Sequence, residues 1–210
     1  PIGVVHLLCA LIEQGLGLAW GRIDHRLWAI RLMRAVFLDR DGVINVDHGY
    51  VSQWRDFEFL PDVPSALRRL QDAGYLLVVV SNQSGIGRGF YTEADLHHLN
   101  TEIAHYLRKT VGVSIAAFYH CPHHPTEAAG RFLKRCDCRK PAPGMIHSAA
   151  RAHNIDLAQS ILVGDNPSDI EAGRAAGVPR LFRVGSEAGD GEPVRGEQCV
   201  ASLRDVPALL

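Results

Sequence analysis

Five short apolar runs, each long enough for one β-strand, are spaced along the chain from residue 35 onward. They lie at 35–38, 76–80, 115–119, 160–163 and 180–184. Their near-continuous hydrophobicity is typical of parallel strands that are covered on both faces. Helical patterns alternate with them, at 62–73, from Thr92 onward, at 144–153 and at 169–176. This alternation predicts an open, doubly wound α/β domain with a mostly parallel sheet. Its functional site is expected at the carboxyl ends of the strands.

Capping residues mark the ends of several predicted helices. Gly74 and Gly177 follow the first and last of them, and glycine is favoured just past a helix C-terminus. Thr92, followed by Asp95, is a good N-terminal cap. The glycine-containing segment 185–196 is predicted to be a surface loop that precedes a short terminal strand and helix.

Size and charge limit the classes of function. The 210 residues are enough for one sizeable core, and 47% hydrophobic and 21% charged residues are typical of a soluble globular enzyme. The formal net charge of -1 gives no electrostatic reason to expect nucleic acid or an anionic membrane as a partner. We expect a monomer that binds a small molecule.

The first 32 residues differ from the rest of the chain. They carry apolar residues at roughly helical spacing, but they lack a basic start, and Glu13 and Gln14 interrupt the apolar run. We therefore do not expect a signal peptide or a membrane span. Met33 stands directly before the first strand, so we expect 1–32 to be an extension outside the catalytic domain, which would comprise 33–210.

Two carboxylates, Asp39 and Asp41, directly follow the first predicted strand and precede a glycine. Neighbouring carboxylates at the exit of a buried strand repel each other and lose hydration. This arrangement is favourable when a positive group lies between them, and a metal ion or a phosphoryl group is the best candidate. A surface turn is the alternative, since Asp and Gly are common turn residues.

Polar segments follow other strands in the same way. Residues 81–85 offer a hydroxyl and several backbone N–H groups to phosphate oxygens, and 164–169 contains two further carboxylates. The cationic pair Arg139 and Lys140 precedes the latter segment. Each segment alone could be an ordinary turn. Their ordered occurrence at strand ends indicates one shared site.

Three cysteines and one histidine form a second group. Cys121 and His123 are separated by twelve residues from Cys136 and Cys138. A Cys₃His set is typical of a closed structural zinc site, here in the loop 121–138. His120 and His124 flank His123, so either could replace it as the ligand. The total of five cysteines is odd and does not suggest a secreted disulfide framework, so we expect a reducing compartment, the cytoplasm.

The four strand-end segments, in this order, resemble the motifs of the haloacid dehalogenase (HAD) superfamily of phosphotransferases, from about residue 34 to the C-terminus. The resemblance implies that Asp39 is the nucleophile, that Asp41 is the general acid and base, and that Ser81 and Lys140 stabilise the phosphoryl group. It also implies that Mg²⁺ is held by Asp39, the backbone carbonyl of Asp41 and Asp165. Asp169 would brace this site without binding the metal.

The zinc-type loop places the resemblance in a branch with two kinds of phosphatase. The segments 45–51, 81–86, 119–125 and 136–141 resemble those that act on heptose 1,7-bisphosphate, and no large cap domain interrupts the core. This implies removal of the 7-phosphate in the synthesis of ADP-heptose for lipopolysaccharide. The implied substrate-binding residues are Asp47, His48, Gly49, Tyr50, Ser81, Asn82, Gln83, Ser84, Arg139, Lys140 and Asn166.

Two alternatives remain at this point. A histidinol-phosphate phosphatase would share the catalytic motifs, although such enzymes usually have a shorter loop between the zinc-ligand pairs. A zinc-stabilised binding module that has lost its activity would also keep the fold. Loss of Asp39 or Asp41 would indicate such a module, and both residues are present.

Overall fold

Six parallel strands form one open sheet in the computed structural model, which describes residues 32–185 and 196–210. In chain order they are β1 (Ala35–Leu38), β2 (Leu76–Asn82), β3 (Ile115–Cys121), β4 (Ile161–Gly164), β5 (Arg180–Val184) and β6 (Glu197–Val200). Their order in the sheet is β3-β2-β1-β4-β5-β6. The chain thus extends outward from β1 in both directions, which confirms the predicted doubly wound architecture and leaves a crevice beyond the carboxyl ends of β1 and β4.

Within the described residues, five α-helices lie between the strands. They are α1 (Val63–Asp72), the short α2 (Ser84–Gly87), α3 (Glu93–Val111), α4 (Gly144–His153) and α5 (Pro167–Ala175). The predicted cap at the start of α3 is confirmed, because Thr92 and Asp95 form a reciprocal capping box. Single 3₁₀ turns occur at Trp54–Asp56, Gly130–Phe132 and Leu157–Gln159.

The sheet separates two apolar layers. In β1 the side chains of Val36 and Leu38 join one layer, whereas Ala35 and Phe37 join the other. All four residues are fully buried. Successive strand residues point to opposite faces, and both faces here are covered by helices, so the strand is apolar at every position.

The observed element ends differ slightly from the predicted ones. β2 and β3 each continue two residues beyond the apolar run, to Asn82 and Cys121. Helix α5 begins at Pro167, two residues before the predicted start, because Asn166 is its N-terminal cap and Asp169 completes a capping box. The carboxyl ends of these strands therefore include polar residues that are still paired within the sheet.

The predicted terminal strand is β6. The helix after it, Leu203–Leu209, is of the 3₁₀ type and contains Pro207, which has no N–H for an α-helical bond. Most of the predicted surface loop, residues 186–195, lies outside the described residues. So do residues 1–31, and the prediction that the N-terminal segment is separate from the catalytic domain stays a prediction.

The connections after β1 and β3 contain the predicted substrate and zinc segments. Within 32–185 and 196–210, no insertion between the strands forms a further domain. No helix of these same residues has the length and apolar character that a membrane crossing requires.

Candidate active site

The turn at the end of β1 brings Asp39 close to Asp165. Asp39 donates its backbone N–H to the Val163 carbonyl of β4 at 2.9 Å. The chain then turns at Gly42, whose φ of 78° lies in the left-handed region. A Cβ at Gly42 would lie 2.2 Å from Asp165 Oδ2, so a glycine is needed for Asp165 to approach the turn.

A buried lysine lies between two carboxylates of this site. Lys140 Nζ is 2.8 Å from Asp39 Oδ1 and 2.6 Å from Asp169 Oδ1. It also donates a hydrogen bond to the Val80 carbonyl at 2.8 Å. Burial alone would lower the pKa of Lys140, but attraction to Asp39 and Asp169 outweighs this effect and raises the pKa above its usual value. Lys140 is therefore a fixed cation.

Asp39, Asp165 and Asp169 carry more negative charge than Lys140 can balance. Burial raises the pKa of Asp39 to about 7, because Lys140 offsets only part of the lost hydration and Asp169 adds repulsion. Partial loss of hydration and repulsion from Asp169 raise the pKa of Asp165 to about 6. The three carboxylates each have an oxygen within 4.8 Å of the others. A cluster of oxygen donors that needs more positive charge fits a hard cation such as Mg²⁺.

Asp41 is held by hydrogen-bond donors on three sides. The guanidinium of Arg40, which is 1% exposed, places Nη2 at 2.9 Å from both oxygens of Asp41. Asn45 Nδ2 donates to Oδ1 at 3.0 Å, and Gln83 Nε2 donates to Oδ2 at 2.9 Å. Because every partner is a donor, this arrangement suits the ionised carboxylate.

Residues at the end of β2 connect these groups. Gln83 Nε2 donates a second hydrogen bond to Ser81 Oγ at 2.8 Å, and the Tyr91 hydroxyl donates to Gln83 Oε1. Asn82 forms two hydrogen bonds with the backbone of Lys140, at 3.0 and 3.2 Å. The turn after β2 is thus joined to the segment that carries Lys140.

The predicted substrate segment forms one wall of the site. Asp47 Oδ1 accepts the Gly49 N–H at 2.9 Å, and Tyr50 has a φ of 56°. The Tyr50 ring lies over Gly85, where a Cβ would be 2.9 Å from the ring. Phe90 contacts Tyr50 edge to face, with ring centroids 4.6 Å apart. The segment therefore packs on the turn that follows β2.

These groups surround a cavity of about 690 Å³. Its lining includes Asp39, Asp41, Asp47, Gly49, Tyr50, Ser81, Asn82, Gln83, Ser84, Arg139, Lys140, Asp165 and Asn166. The structure therefore brings together all the predicted catalytic and magnesium residues. It also places every predicted substrate residue at the cavity except His48, whose ring lies outside and pairs with Glu58 at 3.5 Å.

Three of these polar side chains already bind other parts of the protein. Asn82 holds the backbone of Lys140, and Asn166 Oδ1 accepts the Ser168 N–H at 3.0 Å as a helix cap. Gln83 is 3% exposed, and both ends of its amide are bonded within the protein. Their positions agree with the prediction, but the amides of Asn82 and Gln83 mainly organise the site.

The predicted zinc ligands lie together in the loop after β3. The Sγ atoms of Cys121, Cys136 and Cys138 are 3.1 to 3.5 Å apart. His123 Nδ1 is 3.3 Å from Cys138 Sγ and 3.6 Å from Cys121 Sγ. Four soft ligand atoms at such separations fit a small tetrahedral ion, because Zn–S bonds of about 2.3 Å imply sulfur separations of about 3.8 Å. His124 Nδ1 instead accepts backbone N–H groups of the loop.

Three residues of the site were not found by sequence reasoning. Arg40 and Asn45 belong to the motif after β1, and Tyr91 lies beyond the turn after β2. A buried position next to two aspartates could have indicated that Arg40 is a counterion. Nothing in the local pattern indicates that Tyr91 reaches Gln83.

Comparisons with known proteins agree with this geometry. A HAD-hydrolase-like family profile matches residues 137–206. The chain is 50% identical, over 72% of its length and 84% of the relative's, to D-glycero-beta-D-manno-heptose-1,7-bisphosphate 7-phosphatase of Haemophilus ducreyi. It is 46% identical to the enzyme of that name from Vibrio cholerae, over 84% of this chain and 95% of that one.

A solved structure extends the likeness to three dimensions. The D,D-heptose 1,7-bisphosphate phosphatase of B. bronchiseptica, complexed with magnesium and phosphate, is 32% identical to this chain, with a TM-score of 0.74. The match covers 84% of this chain and 97% of that one. Sequence identity and shared fold lead to one conclusion: the chain belongs to the heptose-1,7-bisphosphate 7-phosphatase family of HAD-type hydrolases.

Proposed function

We infer that the protein hydrolyses the 7-phosphate of D-glycero-D-manno-heptose 1,7-bisphosphate and releases heptose 1-phosphate. The observation that carries this proposal is the pair Asp39 and Lys140, 2.8 Å apart at the end of β1 and beside Asp41 in an open cavity. Family membership supplies the substrate class. The product fits a role in making ADP-heptose for the lipopolysaccharide core.

Asp39 is the proposed nucleophile. One of its oxygens attacks the phosphorus of the 7-phosphate, a P–O bond forms, and the bond from phosphorus to the C7 oxygen breaks. The aspartyl-phosphate is then attacked by water, which releases inorganic phosphate and restores Asp39. Lys140 offsets the charge of the transferring phosphoryl group, and the Ser81 hydroxyl donates a hydrogen bond to a phosphoryl oxygen.

Asp41 is the proposed acid and base. In the first step the protonated form of Asp41 gives its proton to the departing C7 oxygen, and in the second step the resulting carboxylate takes a proton from the attacking water. The three donors around it fix the carboxylate at the cavity wall between these steps.

Mg²⁺ is the proposed catalytic metal, held by Asp39, the backbone carbonyl of Asp41 and Asp165. When bound, it neutralises charge on the phosphoryl group. The oxygen donors and their raised pKa values support this choice, as does the magnesium complex of the B. bronchiseptica relative. Asp169 is bonded to Lys140 and to the cap of α5, which suits a bracing role.

Zinc is the proposed structural metal, held by Cys121, His123, Cys136 and Cys138. Four protein ligands leave no position for a substrate, so we assign it no chemical step. Arg139 follows this ligand set, lines the cavity and donates to the His123 carbonyl at 3.3 Å. A site of reduced thiols is consistent with the cytoplasm, which we retain as the proposed compartment.

The 7-phosphate is the proposed target because it extends from the sugar on a primary carbon and can reach the partly buried Asp39. The remaining 1-phosphate would lie near the cavity mouth, where Arg139 offers a planar pair of donors. The wall formed by Asp47, Gly49 and Tyr50 would contact the sugar.

Phosphate release from a panel of substrates tests the proposal. We expect heptose 1,7-bisphosphate to have a kcat/KM at least about a hundredfold higher than histidinol phosphate or fructose 1,6-bisphosphate. Preference for histidinol phosphate would support the alternative phosphatase. No release from any of them, with Mg²⁺ present, would support a binding module.

A further inference from the structure

The geometry points to Gln83 as a positioning residue that orients both the acid–base carboxylate of Asp41 and the phosphoryl donor Ser81. This inference rests on the proposed phosphatase reaction. It assigns to Gln83 a role through other residues, in place of direct contact with the substrate.

The orientation of the Gln83 amide follows from its neighbours. An ionised Asp41 can only accept hydrogen bonds, so the atom 2.9 Å from its Oδ2 must be the amide nitrogen. The amide oxygen then faces the Tyr91 hydroxyl, which donates to it. Burial raises the pKa of Tyr91 to about 12, so this hydroxyl keeps its proton at neutral pH.

Both protons of the amide nitrogen are used. One is donated in a hydrogen bond to Asp41 Oδ2, and the other in a hydrogen bond to Ser81 Oγ at 2.8 Å. Because Ser81 Oγ accepts from Gln83, its own proton is directed elsewhere and is available for a phosphoryl oxygen in the cavity. One side chain thereby sets the directions of two groups that act on opposite sides of the breaking bond.

Burial makes this role specific. Gln83 is 3% exposed, and its amide nitrogen and oxygen both have protein partners. A substrate could bind to this amide only by displacing Asp41, Ser81 or Tyr91. Loss of the amide would remove one of the two donors at Asp41 Oδ2 and leave Asp41 held by Arg40 and Asn45 alone.

The chemistry gives a readout that separates positioning from general damage. A sugar alkoxide needs a proton from Asp41 as it leaves, whereas the nitrophenolate of p-nitrophenyl phosphate leaves without one. The value of kcat/KM covers steps up to formation of the aspartyl-phosphate, so it reports acid catalysis without the later base step. An effect through Ser81 slows both substrates and cancels in the ratio of their kcat/KM values.

The test compares Gln83→Met with the wild-type enzyme on heptose 1,7-bisphosphate and p-nitrophenyl phosphate. Methionine keeps the volume and removes the amide. We expect kcat/KM to fall at least about tenfold more for the sugar phosphate than for p-nitrophenyl phosphate. Gln83→Asn keeps an amide but shortens its reach, and should shift the ratio in the same direction.

Gln71→Met is the matched control. Gln71 also has both ends of its amide bonded, to Gly112 and Ser114, but it lies on α1 outside the cavity. The Gln71→Met variant should have a lower melting temperature and an unchanged ratio of kcat/KM values for the two substrates. An unchanged ratio in the folded Gln83 variants would overturn the inference. Failure of the wild-type enzyme to hydrolyse the heptose bisphosphate would instead reject the proposed function.

Discussion

The carboxylate of Asp39 is only 13% exposed and lies beside two others, Asp165 and Asp169, and Lys140 is the cation that contacts the cluster. A nucleophile must be ionised, yet burial works against ionisation and raises the pKa of Asp39 to about 7. A divalent cation at the same oxygens would remove this conflict. The proposal that Asp39 is both nucleophile and metal ligand follows from this, because the bound cation would favour the ionised form that the nucleophile needs.

Asp39→Asn should remove nearly all turnover, because the amide oxygen is a poor nucleophile although the shape of the side chain is kept. We expect kcat to fall about a thousandfold or more, with a melting temperature at least as high as that of the wild type. The exposed Asp72→Asn, on α1, is the matched control and should retain full activity. A rate for Asp39→Asn within tenfold of wild type would exclude Asp39 as the nucleophile.

The raised pKa values predict how magnesium affects stability. A carboxyl group whose pKa is higher in the folded state binds more protons there, so the metal-free protein loses stability as pH rises from about 4 to 7. Mg²⁺ replaces the missing positive charge. Its effect on the melting temperature should therefore be larger at pH 8 than at pH 5.

Thermal melts with and without Mg²⁺ at these two pH values measure this effect. The Asp39→Asn variant should lose most of the pH dependence of the magnesium shift. Equal magnesium shifts at pH 5 and pH 8 in the wild-type protein would contradict the assignment of the metal to Asp39 and Asp165.

The residues that form the site could be predicted from sequence, but the orientations of their side chains and their hydrogen-bond partners could not. Asp39, Ser81 and Asp165 each follow the buried apolar run of a strand, and parallel strands bring such positions to one edge of the sheet. The bonds of Gln83 to Asp41 and of Lys140 to Val80 join residues 42 and 60 positions apart. No local pattern encodes such bonds, and for the same reason His48 was expected at a cavity that it does not line.

At the scale of elements, the loop that contains the proposed zinc site connects β3 to Lys140, the proposed phosphoryl-stabilising residue. Its proposed zinc ligands include Cys121 at the end of β3 and Cys138, two residues before Lys140. Arg139 lies in sequence between Cys138 and Lys140, and its guanidinium donates a hydrogen bond to the His123 carbonyl. A metal that fixes this loop would therefore hold both cations at the cavity.

Zinc should accompany the protein at about one ion per chain when it is purified without chelator. Cys136→Ser should lower both the zinc content and the melting temperature, because metal binding to such a site contributes to folding. Cys199→Ser is the control, since this exposed thiol lies outside the cluster. Metal analysis that finds no zinc in the wild-type protein would refute the site.

The elements themselves were largely predictable. The run 180–184 coincides with β5, and 144–153 coincides with α4. The differences arise where polar residues continue a strand or start a helix, as at Asn82 and Asn166. Hydrophobic periodicity does not register a strand end that is kept in the sheet by backbone pairing alone, such as Asn82 against Cys121.

At the scale of the whole molecule, every proposed catalytic and metal residue lies beyond Met33. A chain that starts at Met33 should keep kcat and KM within about threefold of the full-length values, because no group assigned to the reaction is removed. Steady-state kinetics and a thermal melt of both chains measure this. A collapse of activity or stability on truncation would show that residues 1–32 are part of the catalytic domain.

The open cavity at the end of the sheet is the basis for choosing between the two phosphates of the substrate. Its deep end holds Asp39 and Lys140, while Arg139 and Tyr50 also line it. A phosphate on a primary carbon can extend to the nucleophile and leave the ring outside. The anomeric phosphate is attached directly to the ring, which would have to enter the site with it.

Phosphorus NMR of the product formed from heptose 1,7-bisphosphate distinguishes which phosphate is removed. We expect the signal of the primary C7 phosphate to disappear, inorganic phosphate to appear, and the anomeric phosphate to remain as heptose 1-phosphate. A product spectrum that shows heptose 7-phosphate, with the anomeric signal lost, would contradict this expectation.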